Sequence, residues 1–207
     1  MKLIHTIPVF LGFFAATQLA PAQTASFYYG VGTATNSSSN QQIDTFSTGN
    51  PYTTPKMGGL FSDLGANFMF SKHFGVGGDL SWRDTSAAYA GLNYRPFFYN
   101  FDGIYEPLKT KRAEPEFRLG LGGVSVRYSY NQQFCDKFTG CSTSNEFLES
   151  SHHFQTHAAA AVRLYATDHV FIRPAFDFHY VDNFFQFGHN WVPEYSVGVG
   201  YTFGSRE

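Results

Sequence analysis

Near its C-terminus the chain reads Tyr195-Ser196-Val197-Gly198-Val199-Gly200-Tyr201-Thr202-Phe203. Tyr195, Val197, Val199, Tyr201 and Phe203 share one parity; Ser196, Gly198, Gly200 and Thr202 share the other. Successive side chains of a strand point to opposite faces, so this is a strand with one bulky apolar face and one small face. The pattern recurs upstream. Phe74, Val76, Leu80 and Trp82 oppose Gly75, Gly77, Asp79 and Ser81. Phe117, Leu119 and Leu121 oppose Glu116, Arg118, Gly120 and Gly122, and Val170, Ile172, Pro174, Phe176, Phe178 and Tyr180 oppose Arg173, Ala175, Asp177 and His179.

Composition agrees with strands. Of 207 residues, 14% are charged and 19% aromatic, with 24 Phe, 13 Tyr and 20 Gly. An average domain has about 25% charged residues. Here Gly, Phe, Tyr, Thr and Asn replace them, which are poor helix formers and exclude a helical bundle. So many aromatics also exclude disorder. A net charge of -2 with no basic block excludes nucleic acid as the main partner.

About eight alternating segments are expected, near 25–34, 58–70, 74–83, 88–101, 114–130, 151–165, 170–181 and 191–203. Large groups on one face with small and charged groups on the other invert a soluble domain, and suit a barrel with lipid outside. Closure removes the unpaired edges that hydrocarbon penalises. Ten residues tilted near 45° span about 24 Å, the height of an outer-membrane apolar band. An even strand number puts both termini on the periplasmic side, with short turns there and long connections outward. The fold class expected is therefore an all-β, eight-stranded, antiparallel up-and-down transmembrane barrel. Pro96 and Pro174 fall inside segments, and bulges are expected at both because proline donates nothing to a ladder.

Residues 1–22 read as a signal peptide, with Lys2, an apolar run from Ile7 to Ala16 too short to span a bilayer, and the small-x-small site Ala20-Pro21-Ala22. The barrel domain is then 23–207, starting at Gln23. Export sets an oxidising compartment, where Cys135 and Cys141 read as a disulfide in the outward stretch Asn131 to Ser150.

With these features together, the chain resembles small bacterial outer-membrane β-barrels of the eight-stranded OmpA/OmpX/OmpW-like kind. The resemblance rests on 68–78, on 162–174 and on the terminal Val197 to Phe203. The first two look like hairpins across periplasmic turns, and the last like the family's closing strand. It implies a location in the outer membrane, among its lipids and lipopolysaccharide. It also implies recognition of the last strand by the barrel-assembly machinery, and a monomer. Activities in this group vary widely.

Inward parity is expected to carry Asp63, Asp79, Arg95, Glu116, Arg118, Arg163, Arg173 and Asp177, four of each sign, as interleaved pairs plugging a narrow lumen. That favours a non-catalytic barrel whose function lies in its loops. A narrow channel or carrier for small apolar molecules is the alternative, supported by Tyr89, Phe97 and Tyr99 on the inward parity. His152, His153 and His157 invite a metal, but His153 and His157 lie about 13 Å apart on a strand and cannot grip one ion; they read as polar groups near the outer mouth. Glu149, Ser151 and His153 share a parity that loosely resembles the pattern of lipid deacylases, yet strand neighbours two apart sit about 6.6 Å apart, too far for a nucleophile–base hydrogen bond. No catalytic, cofactor or metal site is expected.

Overall fold

The computed structural model describes residues 23–36, 41–44, 47–136 and 140–204. The signal-peptide reading falls on 1–22, outside the described residues. Among the described residues, eleven strands run in the order β1 (Thr24–Ala34), β2 (Gln42–Ile43), β3 (Tyr52–Thr53), β4 (Phe61–Met69), β5 (Phe74–Arg83), β6 (Ala87–Tyr89), β7 (Leu92–Tyr105), β8 (Ala113–Asp136), β9 (Gly140–Tyr165), β10 (Val170–Val181) and β11 (Trp191–Phe203). Eight of them, β1, β4, β5, β7, β8, β9, β10 and β11, form a ring in which each pairs antiparallel with its neighbours. β1 closes on β11 through Ala25 opposite Phe203 to Ala34 opposite Glu194. The short β2–β3 hairpin lies outside the ring.

The alternation read from sequence becomes two faces. Phe101 and Leu119 point out, at 81% and 73% exposure, along with Phe27, Val76, Leu121, Ile172 and Val199. A belt of this size needs an apolar surrounding. Aromatic clusters border it: Phe74 with Tyr105 (ring centroids 5.2 Å apart) and Tyr201 with Phe203 (4.8 Å) at one end, Phe178 with Trp191 (4.8 Å) at the other. The small residues face inward because the lumen is narrow. A Cβ on Gly65 would collide with the Tyr28 ring, and one on Gly200 with Phe171.

Several expected boundaries move. β7 runs Leu92–Tyr105 rather than 88–101. Behind it, β6 and β7 make a two-residue hairpin turn at Ala90 (φ 50°) and Gly91 (φ 80°), the left-handed pair that matches strand twist. The stretch Asn131 to Ser150 is not a loop. β8 and β9 stay paired out to Cys135 opposite Cys141, with one irregularity between Tyr128 and Ser129. Polar Ser, Asn, Gln and Thr residues hid this ribbon, because both its faces meet water there.

The prolines do not require the bulges expected. Pro96 pairs with Val126 on β8, but on its other side the β5 ladder has ended at Trp82–Phe97 and the β6 ladder starts at Ala87–Tyr94. Its missing N–H therefore costs no bond. Pro174 keeps its β11 partner Val197, while the β9 ladder skips from Ile172–Leu164 to Ala175–Ala161. The interruption is a pairing gap rather than an inserted residue.

Candidate functional site: a charged lumen beneath an outward ribbon

The inward faces of all eight barrel strands converge on a charged lumen. Glu116 on β8 is its hub. Its Oε1 accepts from Arg118 Nε at 2.7 Å and from Arg173 Nη2 at 3.1 Å. Its Oε2 accepts from Asn67 Nδ2 at 3.1 Å and pairs with Arg163 Nε at 3.1 Å. Arg118 also donates to Asn67 Oδ1 at 2.8 Å and faces Asp79 at 3.4 Å. The Tyr28 ring lies against two guanidiniums, 4.3 Å from Arg173 and 5.3 Å from Arg118. On the turn side, Arg163 is ion-paired with Glu106, whose other oxygen is 3.3 Å from Lys109.

A second group lies toward the mouth. His157 bridges Asp102 (Nδ1 to Oδ1, 2.8 Å) and Asp177 (Nε2 to Oδ1, 3.2 Å). His179 stacks on it, centroids 4.8 Å apart, with Nε2 3.6 Å from Glu194. Ser81 donates to Glu194 across the lumen at 2.7 Å. Asn100 donates to Asp79 at 2.8 Å and accepts from Gln155 at 2.5 Å.

Above both groups sits an apolar cap. The segment after β10 turns inward at Asn183 (φ 54°), makes a single 3-10 turn over Phe185–Phe187 and leaves through left-handed Gly188. Phe184 and Phe187 stack at 4.3 Å and are fully buried, against Phe61, Phe98, Val181 and Val192. Asn36 ties the cap to the first outward connection, donating to the carbonyls of Pro55 and Phe187 at 3.1 Å each and accepting from Met57 N–H at 3.1 Å. Tyr94 completes the seam, its ring 5.5 Å from Phe187 and its hydroxyl bonded to the Lys56 carbonyl.

Of the charges expected inside, Asp79, Glu116, Arg118, Arg163, Arg173 and Asp177 meet in these networks. Asp63 is buried on the same face, with no ion-pair partner among the described residues. Arg95 is not inside. It is exposed on the outer face, its Nε donating to the Arg83 carbonyl at 2.6 Å. Phe97 and Tyr99 share its parity and also point outward, whereas Tyr94, Pro96, Phe98, Asn100 and Asp102 point in. Both parities of β7 are rich in aromatics, so periodicity alone left its phase open. The sign balance differs too: buried Asp63, Asp79, Asp102, Glu106, Glu114, Glu116, Asp177 and Glu194 face buried Arg118, Arg163 and Arg173. His157 is not a polar group exposed at the rim but is buried within this acid excess. Ser151 and His153 do not engage each other; both bond Gln186 Nε2, at 3.2 and 2.9 Å. Asp79, Asp102 and His157 approach ligand spacing, but Arg118, 3.4 Å from Asp79 and 3.8 Å from Asp102, already supplies the cation there.

Beyond the cap, the β8–β9 ribbon continues outward to a disulfide between Cys135 and Cys141. It exposes Phe134, Phe147 and Leu148.

No known family profile matches the chain, and no curated protein matches it significantly. Solved structures do. The attachment invasion locus protein Ail of Yersinia pestis, in complex with the heparin analogue sucrose octasulfate, aligns over 88% of this chain and 99% of its own, at 12% identity and a TM-score of 0.53. The fold is that of a small outer-membrane β-barrel. The outer membrane protein OprG of Pseudomonas aeruginosa aligns over 89% of this chain and 97% of its own (12% identity, TM-score 0.53). A major outer membrane protein of Thermus thermophilus aligns over 88% and 100% (13%, 0.52). At these identities the likeness is one of fold alone.

Proposed function

We propose that this barrel is an integral, non-catalytic protein of the bacterial outer membrane, with a closed lumen and an outward surface that does its work in adhesion or envelope stabilisation. The observation that carries this is the double seal. A charge network crosses the lumen, and a buried aromatic cap covers it. Charges that pair across the lumen and aromatic rings packed over them support a closed interior, which leaves function to the outward ribbon and mouth. Planar-bilayer recording of the folded full chain tests this reading: no stable conductance is expected, and a steady open pore overturns it.

Of the three aromatics behind the apolar-carrier alternative, Phe97 and Tyr99 face outward, while Tyr89 is buried in the cap cluster and is the part that still supports it. Export in this reading removes 1–22, lipids and lipopolysaccharide surround the belt, and β11 is the strand offered to the assembly machinery. The barrel is a monomer. N-terminal sequencing of the protein from an outer-membrane fraction is expected to begin at Gln23; an uncleaved product in the soluble fraction contradicts the location.

A further inference from the structure

Arg95 of β7 and Arg127 of β8 stand directly opposite each other in register, both exposed on the lipid-facing side. Such pairs have Cβ atoms about 4.5–5.5 Å apart, and like charges there repel. Among the described residues neither arginine has a carboxylate at ion-pair distance. Arg95 Nε reaches only the Arg83 carbonyl, and the Arg127 guanidinium lies 5.0 Å over the Phe147 ring. Both line a shallow cavity of about 330 Å³, together with Trp82, Pro96, Phe97 and Ser125.

Their depth identifies what fills it. The same two strands carry Tyr105 opposite Phe117 at the short-turn rim. Ten residues from that pair to the arginines cover about 33 Å of strand, or about 23 Å of height at a 45° tilt. The arginines thus sit where the outward edge of the apolar band meets the headgroups. Below them Trp82 and Phe97 offer apolar surface to an acyl chain. Guanidinium forks match phosphate oxygens in pairs, and two forks on one anion turn repulsion into a clamp.

We propose that Arg95 and Arg127 form a binding site for the phosphate of an outward-leaflet lipid, a phosphorylated glycolipid with its acyl chains along β7 and β8. The site lies on the outside of the barrel and is independent of whether the lumen is closed.

The test uses the full chain folded in neutral detergent, with native mass spectrometry as readout and three probes: bisphosphorylated lipid A, the same lipid without phosphates, and inorganic phosphate. The wild type is expected to retain the phosphorylated lipid at least about tenfold better than the Arg95→Gln/Arg127→Gln variant, as charge-assisted bonds require. Equal retention by both proteins overturns the proposal. So does equal retention of the phosphate-free lipid, which would mean acyl contact alone, or saturation by inorganic phosphate at the same concentration, which would mean a simple ion site. A stability readout guards against trivial misfolding. In phosphate-free micelles Arg127→Gln is expected to raise the unfolding midpoint by relieving repulsion, and in vesicles containing the phosphorylated lipid to lower it. An effect of one sign in both media contradicts the clamp.

Discussion

The carboxylate of Glu116 lies 2.7 Å from Nε of Arg118, with both side chains buried in the lumen. The same oxygen also serves Arg173. Glu116→Gln keeps the shape but removes the charge that three arginines share. Breaking a buried ionic network on one side costs about 3–5 kcal/mol where the site is dry, and less where water enters. Urea titration of the protein in lipid vesicles is expected to register that loss. A change within about 0.5 kcal/mol would mean that the lumen is wet.

His157 holds Asp102 and Asp177 apart with one ring. His157→Leu leaves two buried carboxylates without that donor, at about 1–3 kcal/mol each. Asp102→Asn added to His157→Leu is expected to recover part of the loss, so the double-mutant cycle gives a non-zero coupling. Strict additivity of the two single changes counts against the bridge.

The cap is separable from the network beneath it. Phe187→Ala deletes a fully buried ring stacked on Phe184, a change that costs about 3–5 kcal/mol when the cavity cannot collapse. Stability in urea is expected to fall while planar-bilayer conductance stays closed, because the charges below still block the lumen. An open pore in Phe187→Ala would make the cap the sole gate.

The disulfide at the ribbon tip closes about seven residues, worth roughly 2.4 kcal/mol in the loop-entropy model. Its effect is expected to stay in the ribbon. Cys135→Ser with Cys141→Ser is expected to speed protease cleavage between the ends of β8 and β9 and leave the barrel's own unfolding midpoint unmoved. Unchanged cleavage would mean that pairing alone holds the tip.

The ring, its closure and the inward charges of β8, β9 and β10 were legible because each strand there sets bulky apolar groups against small or charged ones. Phe117 against Glu116 and Arg118 leaves one phase only. β7 defeated that logic, since Tyr94, Phe98, Phe97 and Tyr99 are aromatic on both parities. Arg95 shares the parity of Phe97 and Tyr99, and with aromatics on both sides its charge alone does not fix the face it takes. The cap was hidden for a different reason. Asp182 to Asn190 is rich in polar residues and reads as an outward connection, and only the turn at Asn183 aims Phe184 and Phe187 back into the mouth. Glu114 shares the parity of Glu116, and Glu194 that of Ser196, so both carried a signal that alternation could have caught.

The seam between Ala25 and Phe203 has a consequence for how the molecule comes to exist. Every other barrel pairing joins a strand to the next barrel strand along the chain, so each can form as soon as its hairpin is made. This one joins the first barrel strand to the last. It therefore carries the largest loop-closure entropy of the described barrel pairings and comes late in time. Before it forms, β1 and β11 each present a row of unpaired backbone groups, able to recruit any strand nearby. A chain cut short within β11 would not yield a smaller barrel but an open, adhesive sheet. Pairing of β11 with β1 thus decides whether all the earlier pairing is kept or lost to aggregation.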